Sequence, residues 1–352
     1  MNKKIKVESP GRINLIGEHV DYNGGSVLPG AIDKKVEFIV ENIPGNKCFI
    51  ESKTINKKFE FDFSSLEKSS EHWQNYILGT VNNLINKKNQ RISAFSCEIN
   101  SSLPIGAGIS SSSALISGLA SSLIEINNLE IKKNEIVDIV SDVEHNYIGL
   151  KGGIMDQFTI LNGQKNKLIH LECHSRNFKY VTAEFKDYQI ILLNTNVEHN
   201  LANTAYNDRV EECKYALKLI NEKYGNKFSS LCEVDLNIIE SLKNDMDVKI
   251  YNRASFVINE NLSANVVVTH GSTAFAANAE SMTTVATETK DFATVVDGTT
   301  GRVSERCQLA QINEGIYFVR GHFVTVLDQT IVIDKYRPRE GNFRIGLRID
   351  ES

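Results

Sequence analysis

Proline is scarce, at 5 in 352 residues, tryptophan occurs once, and none of the 6 cysteines lies in a CxxC spacing. So little proline, beside 41% hydrophobic residues, excludes a collagen-like or proline-rich disordered chain. Without CxxC pairs, and with no histidine at zinc-finger distance from a cysteine, the six thiols read as reduced residues and not as a metal or disulfide framework. No stretch reaches the roughly 18 apolar residues of a membrane span. The lysines after Met1 are not followed by the apolar run of a signal peptide, so the expectation is a cytoplasmic protein with no membrane partner. Basic charge is not in excess either: 39 Lys and Arg face 44 Asp and Glu, a net charge of -5. That balance argues against nucleic acid as the partner and leaves small molecules or proteins.

The length suffices for two or three domains of roughly 100 to 200 residues each. Residues 1–261 hold 25 Lys and 5 Arg, whereas residues 262–352 hold 2 Lys and 7 Arg. At the same place Lys/Asn/Ile-rich segments give way to Thr/Val/Ala-rich sequence with alternating apolar residues, which puts a boundary near residues 261–265. Before it, residues 36–40 and 59–63 read as short strands, and residues 73–85, 112–126, 135–148 and 208–224 carry apolar residues at helical spacing. Residues 181–193, ending in Ile190-Ile191-Leu192-Leu193, read as a central strand. Beyond the boundary, residues 265–269, 315–326, 330–334 and 343–349 read as strands. The predicted class is α+β with a β-rich tail.

Three passages concentrate chemistry. Residues 10–25, which include Arg12, Glu18, His19, Asp21 and four glycines, hold a cation, two carboxylates and an imidazole in sixteen positions. Such density suits a ligand with many hydroxyls, because each side chain can make an oriented hydrogen bond while glycine lets the backbone approach. The alternative is a solvated turn between strands. Residues 103–115 form a Gly/Ser loop, with Gly106, Ala107, Gly108, Ser110, Ser111 and Ser112, that runs into a helix. Backbone N–H groups at a helix start make an anion site, and no lysine follows the second glycine as a Walker A loop requires. The alternative is a loop whose serine merely caps the helix. Residues 144–158 place Glu144 and then Gly152-Gly153-Ile154-Met155-Asp156-Gln157, where Asp156 could be poised against a substrate hydroxyl or could cap the next helix.

Together these passages resemble the galactokinases of the GHMP small-molecule kinase superfamily over about residues 5–261. Glu18-His19-Val20-Asp21-Tyr22 resembles the galactokinase signature, residues 106–114 the superfamily phosphate motif, and Gly153-Ile154-Met155-Asp156-Gln157 the catalytic segment. Asn194-Thr195-Asn196-Val197-Glu198-His199 with Tyr206-Asn207-Asp208-Arg209 resembles a later family stretch; His199 itself reads as a structural histidine. The resemblance implies a GHMP-kinase-like N-terminal domain at 1–180, a partial C-terminal kinase domain at 181–261, and a tail of foreign character at 262–352. It implies transfer from ATP to the C1 hydroxyl of galactose, or of a close sugar. Arg12, Glu18, His19, Asp21, Gly153 and Asp156 would surround the sugar. Asp156 and Arg12 would be the catalytic pair, Asp156 accepting or orienting the hydroxyl proton and Arg12 offsetting charge on the phosphoryl group. Gly106, Ala107, Gly108, Ser110, Ser111 and Ser112 would wrap the ATP phosphates, Ser112 and Glu144 would ligate Mg²⁺, and Trp73 and Tyr76 would lie near adenine, or else form ordinary helix core.

The resemblance ends after residues 253–261. The family's Ser-His stretch, sugar-touching tyrosine and glycine-rich third motif have no counterpart beyond Asn261, and Gly298, Gly301 and Gly321 are isolated. Activity is therefore expected to be impaired. Residues 318–324, 329–336 and 344–351 resemble bacteriophage virion or tail-associated proteins, which implies a virion partner. Three readings of the junction stand: a working kinase with an unfamiliar C-terminal domain, a non-catalytic sugar-binding or virion-assembly fusion, and a joining of two unrelated coding sequences.

Overall fold

The computed structural model describes residues 3–183, 190, 192, 205–269, 289–291, 308–312, 315–319, 322–326 and 329–333. The chain divides into two units, residues 1–189 with 194–264 and residues 190–193 with 265–352. In chain order the first contains β1 (Lys4–Asn14), β2 (Ser26–Val27), β3 (Pro29–Asn42), β4 (Lys47–Ser52), β5 (Lys57–Asp62), α1 (His72–Asn82), β6 (Phe95–Ser101), α2 (Ser111–Ile126) and α3 (Lys133–Asp142). There follow α4 (Met155–Asn162), β7 (Lys167–Glu172), β8 (Phe178–Thr182), α5 (Ala205–Tyr224), α6 (Leu236–Ser241) and α7 (Val248–Thr269), whose residues 265–269 are counted with the second unit.

Five strands form one sheet in the order β1-β3-β6-β4-β5, antiparallel except where β4 pairs parallel with β6. Alternate residues of the strands point to one face, and Val36, Phe38 and Val40 of β3 are buried there with Cys97 and Ile99 of β6 and Ile50 of β4. Helix α2 covers this face with Ala114, Ile116, Leu119, Ala120 and Leu123, forming the first core. The helix comes close because Gly118 lies over Phe38: a Cβ at that position would stand 2.1 Å from the ring. A second core gathers Val27 of β2, Ile169 and Leu171 of β7, Cys213, Ala216 and Ile220 of α5, and Val257 and Ile258 of α7. Helix α4 belongs to both cores, with Ile160 in the first and Met155 and Phe158 in the second. Its first turn, which carries Asp156, is thus held from two sides.

The expected helices at 73–85, 112–126, 135–148 and 208–224 are present as α1, α2, α3 and α5. Two of them run on into wider π-helical turns, Asn83–Lys87 after α1 and Val143–Ile148 after α3. Residues 265–269, expected as a strand, are instead the end of α7. Their β-branched residues suggested a strand, but they continue a helix already anchored by Ala254, Val257 and Ile258, so tertiary packing overrides local propensity. Residues 181 and 182 end β8, which pairs with β7. Most of the strand expected at 181–193 lies outside the described residues, as do Asn194 to His199, Gly298, Gly301, Gly321 and residues 343–349.

In the second unit, β9 (Thr289–Asp291), β10 (Gln308–Ile312) and β13 (Gln329–Ile333) form an antiparallel sheet with β10 in the middle. The strands β11 (Gly315–Val319) and β12 (His322–Val326) pair antiparallel, so the stretch expected as one strand over 315–326 is two.

The close approach at Gly118 yields a stability prediction. Gly118→Val should cost about 1 to 3 kcal/mol by overpacking against Phe38, read as a lower urea midpoint at unchanged slope. An unchanged midpoint would show that α2 does not rest on β3 at this distance.

Candidate active site

Arg12 owes its direction to a break in β1. The register with β3 shifts between Pro10 and Arg12, at Gly11, where a side chain would strike Leu103 and the Ile109 carbonyl. Such an irregularity re-aims the side chain that follows it. The Arg12 amide donates to the Ile109 carbonyl at 3.2 Å, its Nη1 to the Gly108 carbonyl at 2.7 Å, and its Nε to Asp156 Oδ1 at 2.7 Å. The Ser110 hydroxyl donates to the other oxygen of Asp156 at 2.5 Å. Both carboxylate oxygens are therefore engaged, in a pair whose side chains are only 14% and 27% exposed.

This geometry separates readings that the sequence left open. Asp156 lies in the first turn of α4 but does not act as its cap, and Ser110 precedes α2 without capping it. Ser110 instead has a left-handed backbone with φ of 60°, unfavourable for a residue with a side chain, and spends its hydroxyl on Asp156. The loop and the acidic residue meet directly. Next along α2, the Ser113 hydroxyl donates to Glu144 Oε1 at 2.6 Å. Glu144 lies in the π-helical turn after α3 and is 3% exposed.

The turn after β1 supplies the other polar groups. Asn14 Nδ2 donates to Glu18 Oε1 at 2.8 Å, and His19 Nδ1 lies 2.7 Å from the Tyr22 hydroxyl. The rings of Tyr22 and Tyr206 both stand 5.8 Å from that of His19. Asp21 begins a short 3-10 turn directly against Gly153, where a Cβ would come within 2.4 Å of its carboxylate, so only glycine fits there. Asn207, in the first turn of α5, accepts from the Lys151 amide at 3.0 Å and donates to the Gly149 carbonyl at 2.9 Å, which pins the segment leading to Gly153 and Asp156.

Four carboxylates, Glu18, Asp21, Glu144 and Asp156, act electrostatically around one guanidinium. Burial works against the charge of Arg12, but Asp156, Glu18 and Asp21 outweigh it and its pKa rises. Burial pushes Glu18 up to about 8 against the opposing pull of Asn14 and Arg12. It pushes Glu144 to about 8 against the Ser113 hydrogen bond, and Asp21, burdened further by Asp156, to about 6. Without a ligand, part of this acidic cluster holds protons.

Of the residues marked in the sequence, Arg12, Ser110 and Asp156 are joined by hydrogen bonds, and Gly153 and Asp21 are in contact. The hydroxyl bonded to Glu144 is that of Ser113, the residue after Ser112, which the resemblance put with Glu144 at Mg²⁺; a run of four serines does not reveal which one meets Glu144 until the helix start is known. Trp73 and Tyr76 are half-buried against the first core, Trp73 edge-on to Phe59 at 5.1 Å and Tyr76 stacked on His72 at 5.3 Å. Core packing accounts for these contacts, although Tyr76 also feels Glu144, which adds to burial in raising its hydroxyl to about 12. Asn14, Ser113, Tyr206, Asn207, Glu260 and Asn261 were not marked as site residues. Asn14 had a signal, one helical turn's length from Glu18; the others touch partners too far along the chain for spacing to show.

Two family models match: the galactokinase galactose-binding signature over residues 2–41, and the N-terminal domain of GHMP kinases over residues 75–164. A galactokinase of Clostridium tetani is 37% identical over 259 residues, covering 72% of this chain and 64% of that protein. The chain thus spans under two thirds of that relative. A galactokinase of Thermotoga maritima is 36% identical over 258 residues, covering 73% of this chain and 69% of that one. The crystal structure of Lactococcus lactis galactokinase complexed with galactose superposes with a TM-score of 0.72 at 30% identity, covering 80% of this chain and 72% of that chain. With motif, sequence and fold in agreement, the chain belongs to the galactokinase family of GHMP kinases.

Proposed function

We propose that this chain binds galactose, or a close sugar, against Arg12, Glu18, His19, Asp21, Gly153 and Asp156 and phosphorylates its C1 hydroxyl from ATP. The observation that carries the reading is the Asp156 carboxylate, held at one oxygen by Arg12 and at the other by Ser110. The attacking C1 oxygen forms a bond to the γ-phosphorus as the bond to the β-phosphate oxygen breaks. ADP leaves, and the hydroxyl proton passes to Asp156 or through it to solvent. Because both oxygens already have donors, orienting the hydroxyl is the larger part of the Asp156 role, and Arg12 offsets charge on the transferred group.

Residues 106–112 would cradle the phosphates: Gly106 and Gly108 have φ of 70° and 71° with open space beside them, so the backbone can approach an anion. Trp73 and Tyr76 would border the adenine. Among the described residues no three His, Cys, Asp or Glu side chains converge on a cation position. Glu144 with a serine hydroxyl still fits Mg²⁺, which commonly takes one or two carboxylates with substrate phosphates. The buried, proton-holding Glu144 is a group that a cation would ionise. Mg²⁺ bound there would neutralise charge on the β- and γ-phosphates.

The missing third motif supports lowered turnover, and it favours a second reading in which sugar binds without transfer. Release of ADP with galactose and Mg-ATP separates the two. The native chain should exceed Asp156→Ala by about 100-fold or more, and galactose should exceed its N-acetylamino analogue and arabinose by about tenfold. Equal rates for native chain and variant, with galactose still bound, would leave the binding reading standing.

The proton on Glu18 gives a second check. Its folded pKa of about 8 lies above the ordinary 4.5, so its contribution to stability is full below 4.5 and is lost as pH rises through 8. Between about pH 5 and about pH 9 the native chain should lose at least about 2 °C more in Tm than Glu18→Gln. Parallel Tm profiles would show that Glu18 is not held neutral.

A further inference from the structure

The turn that carries Glu18 and His19 is held by local bonds, such as Asn23 Nδ2 to the His19 carbonyl at 2.8 Å, and also from far along the chain. Glu260, on α7, reaches across 243 residues and accepts from the Gly17 amide at 2.8 Å and, through the same oxygen, from the Glu18 amide at 3.1 Å. Gly17 has φ of 103°, and its amide and the next one point the same way, a backbone arrangement that receives an anion. Here the anion is a carboxylate of the chain itself, 9% exposed. The neighbouring Asn261 accepts from the Ser26 amide at 2.9 Å and donates to the Cys232 carbonyl at 3.3 Å, closing the far end of the same turn. Ala254, Val257 and Ile258 seat α7 in the second core, so these two polar residues are delivered by a fixed helix.

We propose that Glu260 is a positioning residue for the sugar-facing turn: by binding the amides of Gly17 and Glu18 it sets the Glu18 carboxylate against Asn14 and holds the turn ready for a polyhydroxylated ligand. This rests on the proposed sugar site, but the turn's dependence on Glu260 does not. A glutamine at 260 retains an acceptor oxygen and should serve; an alanine leaves two amides without a partner. The segment that ends the family resemblance thus contributes to the sugar side of the site.

The test uses the full chain with Glu260→Gln and Glu260→Ala, measuring galactose binding by calorimetry and residue-resolved amide exchange. Glu260→Ala should weaken galactose by about tenfold and speed exchange at Gly17 and Glu18 by a similar factor, while β3 and β6 stay protected. Glu260→Gln should stay within about threefold of the native chain in both measurements. If Glu260→Ala does not fold, Glu260→Asp, which keeps the charge but is one methylene short, replaces it with the same expectation. Unchanged exchange at Gly17 and Glu18 overturns the proposal. So does loosening of β3 and β6 to the same degree, or faster exchange at the turn with galactose affinity unaltered. If the native chain binds no galactose, the sugar reading fails by itself, and local exchange in the alanine variant still decides whether Glu260 sets the turn.

Discussion

Arg12 and Asp156 lie 144 residues apart and meet at 2.7 Å, and that meeting joins the break in β1, the Gly/Ser loop and α4. A guanidinium and a carboxylate, each largely removed from water, are costly to bury unless their partners are in place. The pair therefore requires the break in β1 at Gly11, the loop carbonyl of Gly108 and the Ser110 hydroxyl together. It also requires α4 not to move. Packing supplies that condition, because α4 sends Ile160 into one core and Met155 and Phe158 into the other. Ser110 shows where the cost falls: its left-handed backbone is unfavourable, and the bond to Asp156 is what it secures.

The same pair sets the electrostatic character of the site. One cation cannot balance Glu18, Asp21, Glu144 and Asp156, so burial leaves Glu18 and Glu144 near 8 and Asp21 near 6. A site made only for folding would not gather so many acids around one base, since each costs desolvation without a partner. Hydroxyls that donate, and a divalent cation, are the partners that would relieve this excess.

Local patterns were legible in the sequence, and distant partners were not. The 3.6-residue spacing in residues 73–85 and 208–224 was enough to place α1 and α5, because their apolar stripes face a core. The density of charge in residues 10–25 was visible as a cluster, and Arg12, Glu18 and Asp21 do lie within electrostatic reach of one another. Residues 265–269 misled because Val266, Val267 and Val268 favour a strand only when a sheet is there to receive them. Ser113 was invisible beside Ser110, Ser111 and Ser112, because which serine faces Glu144 depends on where α2 begins. Glu260 could not be inferred at all, since its partners are amides and leave no trace in the pattern of side chains.

The motif resemblance read in the sequence ends near Asn261, at α7's contacts with the turn. Glu260 and Asn261 close the turn from Gly17 to Ser26. The candidate site thus draws on β1, the turn, α4, the first turn of α5 and this stretch of α7. The phosphate loop and Glu144 are present too, held by α2 and the π-helical turn after α3. Recognition and transfer make different demands on such a site, because hydrogen bonds to a polyhydroxylated ligand require only the residues that touch it and those that hold them. Phosphoryl transfer requires the nucleotide as well to be fixed within a fraction of an ångström.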